Sequence, residues 1–532
     1  MVGALLAVLL ADADGIAGAQ PVPAPPLSAV PGSVTLAPGA RVAVGISVGS
    51  APIAASAADP DVAVTVDQTA RTVYLTGIRL GTTTLQISDA AGNRVDVDVH
   101  VVPPAGVIPD RIAVTLTGNP AASSFLGARI DAAIDAAIGP SLAPGSSIRA
   151  ATILPAPQLL ASGFLTTFQA DVDIDPGPGT AEVTGTIAVD VTNAALGDFR
   201  PSVLAFADDP EKITADGVLS RTTVDVNHPT RLYYYHENVR ERRRFCVVLS
   251  ANDSVMTHVQ IVDAAAGPNA DVMTVGHAVT KTFLTLQPAN EATVVAIAGG
   301  KPVLERDTVT APGEGIVGAL DLRVLDGGPL TATVMAIPLA ADPRMYLYGP
   351  KLPDDGHSRH GSFDLHGFGE RIVAYTAGGP DARYVYGTRA QSLANLDPAD
   401  AGRDFGDYGV LQRVTFDLDN PSDVPARVYL YEKPLGGDVR SSFLVNGNLV
   451  DVGCVRVPQH YLVWAADLPP HATGAFEVLT MTDGGSNYPL EIGVSGTPPL
   501  PNAPPISAAD GCFPKPGSPP AATQPRNGTP GH

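Results

Sequence analysis

Apolar and polar residues alternate with a period of two along most of this chain. Between residues 33 and 102, short alternating runs are separated by Ala58-Asp59-Pro60, Gly77, Gly81-Thr82-Thr83-Thr84-Leu85 and Ala91-Gly92-Asn93. A period of two turns one face of each run to a core and the other to water. With turn residues at these intervals, the pattern predicts a small β-sandwich module. Pro103-Pro104-Ala105-Gly106 closes it.

The pattern becomes mixed over residues 107–205. Residues 111–117 alternate as a strand. Leu126, Ile130, Ile134 and Ile138 recur at helical spacing, which predicts a helix over 125–138, capped by Ser123 or Ser124 and stopped by Gly139-Pro140. Strands over 166–174 and 181–191 flank the turn Asp175-Pro176-Gly177-Pro178-Gly179.

Alternation then resumes. Strands are predicted over 231–236, 244–249, 258–262, 282–286, 292–298 and 330–337, forming one β domain. A second set covers 344–348, 371–375, 383–386, 411–418, 426–432, 460–465, 476–481 and 490–494. In each set a strand runs into an Asn-x-Ser turn, Asn252-Asp253-Ser254 or Asn420-Pro421-Ser422, and then into another strand. An aromatic segment, Arg231-Leu232-Tyr233 or Arg344-Met345-Tyr346, precedes each. The two domains therefore read as a tandem repeat.

The expected fold class is mainly β: several Ig-like β-sandwich domains in series with one small α+β region. The expected boundaries are a signal peptide at 1–19, a Pro/Ala-rich linker at 20–31, the first module at 32–103 and the α+β region at 107–205. Sandwiches follow at 206–340 and 341–495, then a disordered Pro/Gly-rich tail at 496–532.

Composition supports this. A chain of 532 residues exceeds one ordinary core. Its 54 Gly and 50 Pro suit many short strands and turns. A net charge of −21 argues against nucleic acid and anionic lipid as partners. The apolar run 2–10 and Ala17-Gly18-Ala19 before Gln20 predict export, although no basic segment precedes them. No apolar run reaches the roughly 20 residues of a transmembrane helix. The expected location is extracytoplasmic: periplasmic, cell-surface or secreted. Of three cysteines, Cys246 lies in an apolar run and reads as buried, while Cys454 and Cys512 are candidates for a disulfide.

The first module resembles the N-terminal domain of bacterial pilus-formation and secretin proteins. Leu36, Gly39, Ala58-Asp59-Pro60 with Val62-Ala63, Leu75, Gly77, Gly81-Thr82-Thr83-Thr84-Leu85, Asp89, Gly92 and the run Val95, Val97, Val99, Val101 carry the resemblance. Bacterial Ig-like repeat domains share much of this pattern. The resemblance implies an envelope protein whose partners are other envelope or pilus proteins. It supplies no catalytic residue, and the pore-forming repeats of a secretin are not found.

Three clusters suggest binding chemistry. Asp354-Asp355-Gly356-His357-Ser358-Arg359-His360 with His366 offers imidazole and carboxylate ligands, so Asp355, His357, His360 and His366 are candidate metal ligands. Asp397, Asp400, Asp404 and Asp407 form an oxygen-rich loop suited to calcium. Tyr233 and Tyr235 on one strand face, with His236 and Asn238 nearby, could stack on a sugar and bond its hydroxyls. The chain holds no G-x-S-x-G elbow, P-loop, dinucleotide fingerprint or C-x-x-C. These absences weigh against an enzyme. The leading reading is a structural or interaction protein of the envelope, associated with pilus or secretion-system assembly. The alternative is a glycan-binding protein or glycan-acting enzyme using the C-terminal β domains.

Overall fold

The computed structural model describes residues 26–251, 255–356, 358–500 and 512. The segment expected to be a signal peptide, residues 20–25 of the expected linker, Asn252-Asp253-Ser254, His357 and the tail beyond 500 apart from Cys512 lie outside the described residues. The chain is mainly β. Among the described residues, no helix is long and apolar enough to cross a membrane. The chain divides into two units: residues to 112 with 131–155 and 168–189, and residues 113–130 with 156–167 and 190 onward.

The first unit opens with strands β1 (Ser28–Val30), β2 (Ser33–Leu36), β3 (Arg41–Val48), β4 (Ala54–Ala57), β5 (Val62–Asp67), β6 (Thr72–Gly77), β7 (Gly81–Ser88) and β8 (Arg94–Val101). They form two sheets, β1-β3-β6-β5 and β2-β8-β7-β4. Val44, Val73, Leu75, Leu85, Ile87, Val97 and Val99 fill the core between them. The motif residues hold the turns. Thr83 Oγ1 accepts the Asp59 N–H at 3.0 Å, and Asp89 accepts the N–H groups of Ser50 and Asn93 at 3.0 and 2.9 Å. A Cβ at Gly77 would lie 2.6 Å from the Ala37 carbonyl oxygen, so only glycine fits there. Next in chain order come β9 (Arg111–Thr117), helix α1 (Ser123–Ile138), β10 (Ser147–Leu154), β11 (Leu165–Asp175) and β12 (Val183–Asn193), of which only β10 belongs wholly to the first unit. Leu126, Ile130, Ile134 and Ile138 are the buried stripe of α1.

The second unit holds two sandwiches. The first comprises β13 (Val203–Ala207), β14 (Lys212–Ile213), β15 (Gly217–Val224), β16 (Thr230–Asn238), β17 (Arg243–Ala251), β18 (Thr257–Asn269), α2 (Val272–Leu286), β19 (Ala292–Ile297), β20 (Val303–Thr310), β21 (Glu314–Asp326) and β22 (Leu330–Ile337). The second follows β23 (His360–Asp364). It comprises β24 (Glu370–Thr376), β25 (Ala382–Tyr386), β26 (Leu411–Asp419), β27 (Ala426–Pro434), β28 (Val439–Val445), β29 (Asn448–Val455), β30 (Tyr461–Leu468), β31 (Thr473–Met481) and β32 (Leu490–Ser495).

The two sandwiches have one topology. In the first, β13-β16-β21-β18-β19 faces β15-β22-β17-β20. In the second, β24-β26-β31-β28-β29 faces β25-β32-β27-β30. β13 runs parallel to β16 just as β24 runs parallel to β26. β23 adds to the open edge of β13. Helix α2 packs on β18 and β21 of the first sandwich and on β28, β29 and β31 of the second.

Four local expectations need correction. Residues 282–286 are the last turn and a half of α2 and not a strand. Their Thr-Phe-Leu-Thr-Leu alternation masks a longer helical period, with Met273, Val279 and Phe283 buried, that begins at the Asp271 cap. Residues 344–348 are not a strand either. Asp342 caps a 3₁₀ turn at Pro343–Met345, and Met345 and Tyr348 are exposed. Thr482 to Asn487, whose Asp483-Gly484-Gly485-Ser486 run between the predicted strands 476–481 and 490–494 reads as a hairpin turn, is none, because β31 and β32 belong to different sheets. Finally, the two Asn-x-Ser motifs are not equivalent. One follows β17 and the other β26, whereas the topological counterpart of β17 is β27.

Candidate functional site

β13 runs straight into the turn Asp208-Asp209-Pro210-Glu211. Its antiparallel neighbour β23 pairs His360 with Ala207, so Arg359 and His360 sit beside this acidic turn. Strand alternation then sends neighbouring residues to opposite sides. Arg359 meets Asp208 and Glu211 on one side, and His360 meets Asp209 on the other.

The Arg359 side opens on a cavity of about 170 Å³. Phe206, Tyr233, Tyr235 and Tyr408 form its aromatic wall, and the backbone of 484–487 lines it as well. The rings of Phe206 and Tyr233 lie 5.7 Å apart, and those of Tyr233 and Tyr408 6.5 Å apart. Arg359 Nε is 2.8 Å from Asp208 Oδ2, and its Nη2 also bonds Glu211. Burial pushes the Asp208 carboxyl well above its ordinary range, and the Arg359 charge only partly offsets this. Tyr408 donates to the Ser486 carbonyl at 2.7 Å. The Tyr233 hydroxyl and Asp208 Oδ1 are buried without a hydrogen-bond partner among the described residues.

The His360 side carries a different set. His360 Nδ1 lies 3.0 Å from Asp209 Oδ2, and its Nε2 lies 3.0 Å from Asp400 Oδ1. Asp209, Asp354 and His360 can bring one ligand atom each within 4.8 Å of one another, which suits a divalent ion. Burial raises the Asp209 carboxyl. Burial acts the same way on Asp400, but the Gly402 N–H, Asn395 and His360 outweigh it and lower that group.

The predicted residues are therefore redistributed. Tyr233 and Tyr235 line the aromatic cavity. His236 and Asn238 do not: the His236 ring packs on Phe245, its Nδ1 is 2.9 Å from the Pro210 carbonyl oxygen, and burial lowers its pKa to about 4. Asn238 donates to the carbonyls of Glu241 and Thr310. His360 joins the acidic cluster, while His366 is exposed and paired with Asp364 at 2.6 Å. Asp355 braces the acidic turn by accepting the Glu211 N–H at 2.8 Å and donating its own N–H to Asp209 at 2.7 Å.

The four loop aspartates do not form one cage. Asp397 caps an exposed turn and Asp400 reaches His360. Asp404 and Asp407 sit together in the interior. Burial pushes Asp404 well up and Asp407 to about 6. With Asp397 exposed, Asp400 at His360 and the other two buried, near-even spacing in sequence does not become convergence in space. Cys454 and Cys512 form a disulfide with a Cα–Cα distance of 5.5 Å, packed on Met273.

Asp208, Asp209, Glu211, Arg359 and Tyr408 escaped the sequence reading. The available signal was the acidic-Pro turn Asp208-Asp209-Pro210-Glu211 directly after a strand. A further polar group was also missed where α2 meets the second sandwich. His277 is bracketed by Asp483 at 2.7 Å and Asp451 at 2.7 Å, and Lys281 also bonds Asp451. Burial alone would lower the His277 pKa, but the two carboxylates outweigh it and raise it to about 9.

Residues 38–102 match the family model of the pilus formation protein N terminal region. No curated protein matches the chain. Among solved structures, the chain is similar to fibronectin(III)-like modules of CbhA from Clostridium thermocellum, with 16% identity over 33% of this chain and 98% of that one and a TM-score of 0.15. It is also similar to a SusE-like surface located polysaccharide binding protein from the Bacteroides thetaiotaomicron heparin utilisation locus. That identity is 11% over 59% of this chain and 60% of the other, with a TM-score of 0.15. SGBP-B of the Bacteroides ovatus mixed-linkage glucan utilization locus gives 10% over 57% of this chain and 72% of that one, with a TM-score of 0.11. At these identities and TM-scores, any functional reading of the sandwiches rests on their own residues.

Proposed function

We propose that this is an exported structural or interaction protein of the bacterial envelope that docks onto a pilus or secretion assembly through its first module and presents the tandem sandwiches to partners. The supporting observation is the family match at 38–102. The motif residues there hold turns and contribute no reactive group, which suits a docking module. Cross-linking of the tagged full chain in native envelopes tests this. Pilus or secretion components should be recovered with the full chain and lost when the module is deleted. Equal recovery from both, or none from either, overturns the proposal.

A second reading has its own support: a saccharide site in the aromatic cavity. Tyr235 and Tyr408, both only partly buried, offer ring surface, and Glu211 and Arg359 bring polar groups to the same lining. Calorimetry with neutral oligosaccharides tests it. Tyr235→Ala should weaken binding about tenfold, the loss expected from ~1.4 kcal/mol. Unchanged binding removes this reading.

A further inference from the structure

A second cavity, of about 290 Å³, lies between residues 365–370 and the start of β26. The chain carries a net charge of −21, yet three arginines, Arg200, Arg231 and Arg413, line this one cavity. Two of them have carboxylates of their own. Arg231 is buried, with Nε and Nη2 held by Asp321 at 2.6 and 2.9 Å and Nη1 donating to the Gly409 carbonyl at 2.8 Å. Arg200 Nη1 meets Glu370 at 2.6 Å. Among the described residues Arg413 has no carboxylate partner, and its guanidinium makes one hydrogen bond, from Nη2 to Gln287 Oε1 at 3.3 Å.

Of the charged groups that line the cavity, three are guanidiniums and one, Glu370, is a carboxylate; Asp321 answers Arg231 from outside the lining, and His366, also in the lining, is paired with Asp364. Burial pushes the Arg413 pKa down, and Arg200 and Arg231 push the same way, against the smaller pull of Glu370 and Asp321. A guanidinium nonetheless stays charged in proteins. A half-buried cation beside two others, with most of its N–H groups free of partners among the described residues, gains charge-assisted hydrogen bonds when an anion joins it. The planar fork of arginine fits a carboxylate with two parallel hydrogen bonds. Guanidiniums outnumber carboxylates in the lining, which favours an anionic ligand. Phe368 supplies an apolar wall and Ser202 a hydroxyl beside it.

We propose that this cavity binds a carboxylate ligand, with Arg413 as the principal contact and Arg200 at the rim. Two sources share that chemistry: a sugar acid and a peptide C-terminus. The inference is independent of the docking role of the first module and of the aromatic cavity.

Calorimetry on the full chain at low salt tests it with four probes: glucuronate, N-acetylglycine, glucose and methyl sulfate. At least one carboxylate should bind, about tenfold or more tighter than glucose. Binding of glucuronate alone identifies the sugar-acid source, binding of N-acetylglycine alone the peptide source, and binding of both the shared group. Arg413→Gln should weaken the carboxylate about tenfold or more, and added salt should weaken it in the wild type. A melting curve checks the fold of the variant. If Arg413→Gln does not fold, Arg200→Gln at the exposed rim replaces it, with a loss of about threefold. No carboxylate binding, glucose binding equally well, methyl sulfate binding tighter, or variants that bind like wild type would each overturn the proposal.

Discussion

The two sandwiches of the second unit match strand for strand yet treat their connections differently. Between β18 and β19 the first inserts helix α2, whereas between the corresponding β28 and β29 the second makes the turn Asn446-Gly447. Between β15 and β16 the first uses residues 225–229, whereas between β25 and β26 the second uses residues 387–410. Every polar cluster of interest lies on or against one of these unequal connections, or on the Asp208 turn. His277 is on α2, Asp400 and Tyr408 are in the long loop, and Gly409 caps Arg231 from its end. The strands of the shared frame supply the apolar cores and some polar groups, among them Arg231, Asp321, Arg413 and Asp451. The insertions bring His277, Asp400, Tyr408 and Gly409 against groups of this kind, and α2 packs on both sandwiches.

That comparison makes α2 the joint, and the largest expected effect comes from breaking it. Asp483 is fully buried and ion-paired with His277. Removing the imidazole strands that carboxylate, and breaking a buried pair in this way costs ~3–5 kcal/mol. His277→Ala should therefore lower stability by about that amount and split urea unfolding into two transitions as the sandwiches uncouple. A single transition with an unchanged midpoint would show that α2 does not couple them.

How much of this was legible in the sequence follows from the range of each signal. Strands with strict alternation were visible, and so was α1, whose stripe of Leu126, Ile130, Ile134 and Ile138 has no competing period. α2 was hidden because Thr282 to Leu286 alternates locally. The shared topology was invisible because pairing is not written in any one strand, and the Asn-x-Ser motifs pointed to strands that are not equivalent. Of the aromatic site, Tyr233 and Tyr235 were legible, since a period of two puts them on one face. Asp208 and Arg359 were not, because only the β13–β23 pairing brings them together across 150 residues of chain. The link between His360 and Asp400 joins two clusters that looked separate in sequence.

The joint should also respond to pH. The folded pKa of His277 is raised to about 9 from an ordinary 6.5, so the folded state binds more protons than the unfolded state between those values. Its stabilisation is then complete below about pH 6.5 and lost as pH rises through 9. Asp451 and Asp483 face it directly, Lys281 reaches it through Asp451, and the buried Glu432, raised to about 8 by burial, lies near Asp483. The full His277 contribution is on the order of 3 kcal/mol, from roughly 1.4 kcal/mol per pKa unit. Urea midpoints at pH 6, 7, 8 and 9 should fall steadily in the wild type and less steeply in His277→Gln. Parallel curves would place the pH response elsewhere.

The smallest effect tests the other half of the comparison. Asn446 and Gly447 occupy the left-handed region at φ +48° and +78°, the conformation of a tight hairpin turn. Asn446 is also tied down, its Oδ1 accepting the Glu477 N–H at 2.7 Å. Nothing lies within 4 Å of a Cβ built at Gly447, so alanine there meets only backbone strain. Gly447→Ala should cost about 1 kcal/mol and leave unfolding a single transition. Gly276 on α2 gives the contrast. By helix propensity alone, alanine would stabilise that site by ~1 kcal/mol. Its Cβ, however, would strike the Gly484 backbone in the loop of the second sandwich. Gly276→Ala should therefore destabilise by ~1–3 kcal/mol. A stabilised Gly276→Ala would mean that the loop at 484 yields freely and that the joint is looser than its buried ion pair implies.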